Sequence, residues 1–114
     1  MSAITTHILD LSRGRPAGGV AVVLEVQSGQ EGWQVLGQGT TDADGRLKSL
    51  LPAGFKLAPG AYRLIFRTLD YFAAQGVESF YPEVTISFSV TDAAAHYHVP
   101  LLLSPYGYST YRGS

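Results

Sequence analysis

The chain ends in the segment His98-Val-Pro-Leu-Leu-Leu-Ser-Pro-Tyr-Gly-Tyr-Ser-Thr-Tyr-Arg-Gly-Ser114, which is more apolar and aromatic than a usual terminus. Chain ends are commonly polar and poorly ordered unless something holds them. Here a strand-like apolar run at residues 99–103 passes through a Ser-Pro-Tyr-Gly turn into a tyrosine-rich segment. Tyrosine and β-branched residues suit a pleated, half-buried surface. The segment therefore predicts a terminal β-hairpin that packs on a sheet.

Upstream of this hairpin, turn residues divide the chain into short segments with the patterns of strands. The clearest is 84–91, where valine, isoleucine and phenylalanine alternate with threonine and serine. Residues 68–76 predict the one helix, about two turns long, with Thr68 as its cap and Gly76 at its end. Further strands are predicted at residues 4–11, 20–26, 33–41, 61–66, 96–103 and 106–111, and a short edge strand or loop at 47–57. This arrangement predicts an all-β fold, a β-sandwich with one short helix.

The second and third strands are predicted to pair as a hairpin with its loop at residues 28–32. Side chains alternate between the two faces of a strand. Alternation along the third strand therefore predicts one face formed by Trp33, Val35, Gly37 and Gly39.

Composition excludes several classes of protein. The length of 114 residues predicts one domain, residues 1–114. A net charge of −1 indicates no nucleic-acid or anionic-membrane partner, and zero cysteines exclude disulfides and thiolate chemistry. The apolar runs are shorter than the roughly 20 residues that span a bilayer. The first residues lack the pattern of a secretory signal, so we expect a cytoplasmic protein, although a processed precursor stays open.

The segment Thr41-Asp-Ala-Asp-Gly-Arg46 has two interpretations. Asp-x-Asp-Gly resembles the start of a calcium loop, but that loop needs a glutamate six residues after the glycine, where Leu51 stands. The interpretation that we favour is a tight turn that presents Arg46.

Two chemistries fit the histidines. His96-x-His98 places two imidazoles on one face of a strand, and His7 on a neighbouring strand could complete an open zinc site. The sequence places no carboxylate to orient such ligands, so we expect no metal. The favoured chemistry is metal-free hydrolysis of an activated amide. In it imidazole serves as a base near neutral pH, and the guanidinium of Arg46 holds the developing oxyanion.

Four motifs carry a resemblance to a known family. They are Thr-His-Ile-Leu-Asp at 6–10, Asp-Gly-Arg at 44–46, Tyr-His-Val-Pro at 97–100 and the tail from His98 to Ser114. Together they resemble the 5-hydroxyisourate hydrolases of the transthyretin fold family, over residues 6–114. The resemblance implies a transthyretin-like sandwich of two four-stranded sheets, assembled as a homotetramer around a central channel.

The resemblance also implies an activity and a site. The substrate would be 5-hydroxyisourate, whose six-membered ring opens on the way from urate to allantoin, without a cofactor. His7, Arg46 and His98 would be catalytic, and substrate would bind through His7, Arg46, Tyr111, Arg112, Gly113 and Ser114. Which histidine is the base stays open, and His96 is left outside the catalytic set. The alternative is a transthyretin-like carrier of small molecules without activity.

Overall fold

The strands form two sheets that enclose one apolar core. The computed structural model describes residues 2–29 and 32–114. Its elements are β1 (Ile4–Asp10), β2 (Arg15–Pro16), β3 (Ala21–Ser28), β4 (Gly32–Thr40), β5 (Arg46–Leu47), β6 (Gly60–Phe66), α1 (Thr68–Ala73), β7 (Val84–Val90), β8 (Tyr97–Ser104) and β9 (Gly107–Thr110). One sheet has the order β2-β1-β8-β9, with β5 paired to β1, and the other has the order β4-β3-β6-β7. The predicted sandwich is confirmed. The first sheet has five strands and not four, because the two-residue β5 pairs with Thr6 and His7 of β1, next to the residues that pair with β2.

Alternating burial separates the two faces of the first sheet. Ile4 and Ile8 on β1 are fully buried, as is Leu101 on β8, and they pack against the second sheet. Each large apolar side chain buried in this way stabilises the fold by about 1.5–3 kcal/mol before entropy is counted. Side chains at the alternate positions of these strands point to the outer face of the sheet. Thr5 and His98 are at such positions, and they are paired in the parallel register of β1 and β8. The core of the sandwich thus fixes a polar outer surface where the chemistry can lie.

The predicted hairpin of β3 and β4 is confirmed, but the predicted set of residues on one face of β4 is wrong. Val35 pairs with Glu25 while Gly37 pairs with Leu24, so the register shifts by one residue between them. Such a bulge inserts an extra residue and exchanges the faces beyond it. The prediction that Val35 and Trp33 share a face with Gly37 is therefore wrong. Residues 30 and 31 of the predicted loop lie outside the described residues.

The predicted helix is present, and its boundaries differ from the prediction. α1 spans six residues, Arg67 is its N-cap without a side-chain hydrogen bond, and Thr68 is buried rather than capping. Gly76 follows the helix end with φ of 71° and, as expected, occupies the left-handed conformation that ends it. Phe72 is 1% exposed and belongs to the core. Burial of Phe72 explains how so short a helix is stable. Within the described ranges, no helix is long and apolar enough to cross a membrane.

Candidate active site

A tight turn presents Arg46 at the edge of β1. Oδ1 of Asp42 accepts hydrogen bonds from the backbone N–H groups of Asp44, at 2.9 Å, and Arg46, at 3.0 Å. The bond from Arg46 is the main reason why the pKa of Asp42 lies below its ordinary value. Gly45 is required here, because its φ is 76° and an added Cβ would collide with the carbonyl oxygen of Ile8. The turn that we favoured from the sequence is confirmed. Within residues 2–29 and 32–114, no three His, Cys, Asp or Glu side chains are placed to hold a metal ion.

His98 lies half-buried on the outer face of β8, against β1. Its Nδ1 is 2.8 Å from Oγ1 of Thr5. The pKa of His98 lies below its ordinary value, mainly because burial disfavours the charged ring and further because His7, His96 and Arg46 add positive charge nearby. His98 is therefore predominantly a neutral base at neutral pH.

The pairing of the tail with β8 is interrupted at Pro100 and resumes at His98. β8 pairs with β9 as far as Leu101 and Thr110, and the pairing resumes only at the bridge between His98 and Gly113. Proline has no N–H to donate to a ladder. At the bridge, the backbone N–H of Gly113 donates to the carbonyl of His98 at 2.8 Å. A Cβ on Gly113 would lie 2.5 Å from Cδ2 of the His98 ring, so the tail can pack there only without a side chain.

Strand β1, the segment at β5, the start of β8 and the tail border a cleft of about 250 Å³ that is open to solvent, on the outer face of the first sheet. The cleft is lined by Thr5, Thr6, Arg46, Lys48, His96, His98 and Ser114. The structure thus brings together three of the predicted site residues, Arg46, His98 and Ser114. A larger groove of about 450 Å³ lies beside α1, but none of its lining residues is a histidine. The smaller cleft is the candidate site, because a histidine and an arginine both line it.

Several cleft residues were not among the predicted site residues. Oγ1 of Thr5 lies 3.1 Å from Nε2 of His96, and Lys48 adds a second cation beside Arg46. His96 could have been included, because its two-residue spacing from His98 puts both rings on one face. Thr5 shares a face with His7 on β1 by the same spacing. For Lys48 the sequence contains no signal, because its place depends on the path of the chain after β5.

The remaining predicted residues lie around the cleft rather than in it. Nε2 of His7 is 2.9 Å from the carbonyl oxygen of Asp44. A carbonyl only accepts, so Nε2 of His7 carries a hydrogen and donates it. The guanidinium of Arg112 stacks 4.4 Å from the ring centre of Tyr97, and Tyr111 is 58% exposed beside it. Within one chain, Tyr111 and Arg112 therefore line a separate groove, and their contact with substrate stays a prediction.

Known proteins are similar to this chain in sequence and in fold. The HIUase/Transthyretin family model matches residues 4–113. A 5-hydroxyisourate hydrolase from Salmonella dublin is 52% identical over 111 residues, which span 97% of this chain and 80% of the relative. The structure of 5-hydroxyisourate hydrolase from Klebsiella pneumoniae is 39% identical, with a TM-score of 0.84 over 97% of this chain and 92% of that one. The structure of sea bream transthyretin in complex with thyroxine is 32% identical, with a TM-score of 0.90 over 98% and 95%.

The fold by itself does not separate these two kinds of protein, since a hydrolase and a thyroxine-binding transthyretin both superpose on the chain. The family, in contrast, is decided by a match over nearly all residues and by a relative of 52% identity. The resemblance inferred from the four sequence motifs is therefore confirmed, and the chain belongs to the HIUase/Transthyretin family.

Proposed function

We propose that the chain is a 5-hydroxyisourate hydrolase, acting as one domain over residues 1–114. It would open the six-membered ring of 5-hydroxyisourate to give 2-oxo-4-hydroxy-4-carboxy-5-ureidoimidazoline, a step from urate towards allantoin. The observation that carries the proposal is the cleft in which a neutral imidazole, His98, lies beside a guanidinium, Arg46. The similarity to the Salmonella dublin hydrolase supports the choice of substrate.

His98 is the proposed general base. A base that works near neutral pH must be mostly unprotonated and must still attract a proton, and an imidazole whose pKa is lowered from its ordinary value is unprotonated there. His98 takes a proton from water, and the water oxygen bonds to a carbonyl carbon of the six-membered ring. The C–N bond at that carbon then breaks, and the proton held by His98 goes to the released ring nitrogen. His7 orients water or substrate from the edge of the cleft.

Arg46 is the proposed anion-stabilising group. The attacked carbonyl oxygen becomes negative in the transition state, and a guanidinium presents parallel N–H donors to a planar ring. The Asp42 turn fixes the backbone of Arg46, since Asp42 holds its N–H at 3.0 Å. The turn thereby sets the point from which the Arg46 side chain reaches the cleft.

The tail and the assembly are proposed to complete the pocket. One chain offers a cleft that is open to solvent, whereas small-molecule sites usually enclose most of their ligand. Tyr111, Tyr106 and Tyr108 are 58%, 63% and 42% exposed in the single chain, and tyrosine is enriched where protein surfaces meet. A homotetramer in which facing chains cover one another's clefts would bury such rings and bring Tyr111 and Arg112 to substrate. The expected cytoplasmic location stays a prediction.

No step of this chemistry requires a metal or a cofactor, because imidazole removes the proton and Arg46 balances the charge. Turnover should therefore survive prolonged treatment with EDTA or dipicolinate. Loss of activity that added zinc restores would instead favour a metal-activated water at the three histidines.

The test is the rate at which freshly generated 5-hydroxyisourate loses its ultraviolet absorbance. Wild-type protein should accelerate the decay over the spontaneous rate, and His98→Asn, which keeps a polar side chain of similar reach, should not. If wild type gives no acceleration, the hydrolase is rejected. The alternative is a carrier without activity, favoured by the TM-score of 0.90 with sea bream transthyretin. A carrier would bind a small apolar aromatic ligand stoichiometrically while leaving 5-hydroxyisourate unchanged.

A further inference from the structure

One buried hydroxyl touches both histidines of the β8 region. Thr5 is 4% exposed, and its Oγ1 lies 2.8 Å from Nδ1 of His98 and 3.1 Å from Nε2 of His96. A hydroxyl carries one hydrogen, so it donates to only one of the two rings. For both contacts to be hydrogen bonds, the other ring must donate to the hydroxyl. The position of the hydrogen on one neutral imidazole therefore decides its position on the other.

Two arrangements satisfy this coupling. In the first, Nε2–H of His96 donates to Thr5, and Thr5 donates to Nδ1 of His98. The hydrogen of His98 is then on its Nε2, and the ring has no lone pair left for water. In the second, Nδ1–H of His98 donates to Thr5, and Thr5 donates to Nε2 of His96. Nε2 of His98 is then bare.

Only the second arrangement suits both protonation states of a base. When Nε2 of His98 takes a proton, the ring donates from both nitrogens, and Nδ1 still meets the oxygen of Thr5. The first arrangement would have to reverse both hydrogen bonds before His98 could act. A hydrogen-bond partner on the second nitrogen is the common means by which proteins choose the tautomer of a working histidine.

We propose that Thr5 and His96 are positioning residues. His96 accepts the hydroxyl hydrogen of Thr5, Thr5 accepts the Nδ1 hydrogen of His98, and Nε2 of His98 is left bare as the base. The inference deepens and rests on the proposed function, since it assigns the group that orients the base of that reaction. It also explains why the hydroxyl of the buried Thr5 makes its hydrogen bonds to the two histidine rings and not to the backbone.

The first readout is the tautomer itself, observed by long-range ¹H–¹⁵N NMR of the imidazole nitrogens in the full-length, ¹⁵N-labelled protein. The spectra are recorded at a pH at which His98 is neutral. Wild type should show Nε2 of His98 unprotonated and Nδ1 protonated. Thr5→Val keeps the shape of the side chain and removes the hydroxyl, so it should give a mixture of tautomers. Thr5→Ser keeps the hydroxyl and should restore the wild-type pattern.

The second readout is turnover of 5-hydroxyisourate. The net effect of one hydrogen bond predicts that kcat of Thr5→Val falls about tenfold, with KM changed by less than about twofold. Thr5→Ser should recover to within about twofold of wild type. The matched control is Thr85→Val, because Thr85 is an exposed threonine on β7 of the other sheet. His96→Phe keeps a ring but removes the acceptor, and it should also give mixed tautomers of His98.

The pH profile of kcat/KM adds a third readout. The groups that lie around His98 are His7 from β1, Arg46 and Lys48 from the segment at β5, His96 just before β8, and Ser114 from the tail. None of them is changed by Thr5→Val, so a displaced acid limb would report the lost hydrogen bond and not an altered charge.

Three results would overturn the proposal. They are Nε2 protonated in wild-type His98, an unchanged tautomer in Thr5→Val, or a Thr5→Ser protein as impaired as Thr5→Val. The NMR readout needs no turnover, so the two proposals fail separately. A wild-type chain with the stated tautomer but no hydrolysis would reject the function and keep the hydrogen-bond assignment.

Discussion

Replacing Gly113 by alanine tests whether the tail holds the imidazole of His98, the proposed base, in place. An added Cβ would lie 2.5 Å from Cδ2 of His98, 3.3 Å from its Cγ and 3.4 Å from Cγ of Pro100. Ordinary contacts of this kind begin at 3.4 Å, so the methyl group and the ring must separate by roughly 0.5–0.9 Å. Backbone conformation is not the obstacle, because Gly113 is not among the glycines with positive φ.

Either route of relief disturbs the site. If the ring turns, Nδ1 of His98 leaves Oγ1 of Thr5, now 2.8 Å away. If the tail moves, the 2.8 Å bond from Gly113 N–H to the carbonyl of His98 is lost, and Ser114 leaves the cleft. Displacement of a catalytic group by about 1 Å commonly costs about 10²-fold in rate, so we expect kcat to fall by about that factor.

The measurement is initial-rate kinetics on 5-hydroxyisourate by ultraviolet absorbance, with thermal unfolding followed by circular dichroism. The matched control is Gly107→Ala in the same hairpin, where an added Cβ meets nothing within 4 Å. Both variants should melt within about 4 °C of wild type, since neither position lies in the core. Turnover of Gly113→Ala within about threefold of wild type would refute the idea that the tail positions His98. An equal loss of turnover in Gly107→Ala would show that any substitution in this hairpin lowers activity, and not only one that displaces His98.

Three further predictions follow from the cleft. In the Arg46→Lys variant, kcat should fall by about 10²–10³-fold, because an ammonium cannot make two parallel hydrogen bonds. A lysine variant within about threefold of wild type would show that positive charge alone is sufficient. The acid limb of kcat/KM should lie below the ordinary histidine pKa of 6.5, because the proposed base is the neutral form of His98 and its pKa is lowered, mainly by burial. A limb above that value would contradict the proposal that His98 is the base. Deleting residues 111–114 should leave a folded sandwich without activity, checked by sedimentation, circular dichroism and turnover. A truncated chain that folds but dissociates would make the tail an assembly element instead.

Local pattern was enough for the seven longer strands and for the residues that carry the resemblance, but not for the two-residue strand β2. The strict alternation at 84–91 predicted β7, and the Asp42 turn predicted how Arg46 is presented. The predictions that failed concerned features that depend on contacts between distant parts of the chain. The bulge opposite Leu24 and Glu25 depends on the pairing of two strands, and no single strand carries a signal for it. Likewise, Thr68 has the chemistry of a cap, but the N-cap is Arg67, and the buried hydroxyl of Thr68 has no hydrogen-bond partner.

The sequence by itself determined the family, the sandwich and the residue types of the chemistry, because alternation and turn residues act over a few positions. It could not determine which side chains meet. His98 and Thr5 are 93 positions apart in the chain, and they touch only because β1 and β8 pair in parallel in one particular register. A shift of one residue would have turned either side chain to the core. Tertiary structure alone therefore decided that the hydroxyl of Thr5 contacts both His98 and His96, and that Tyr111 and Arg112 line a separate groove within one chain.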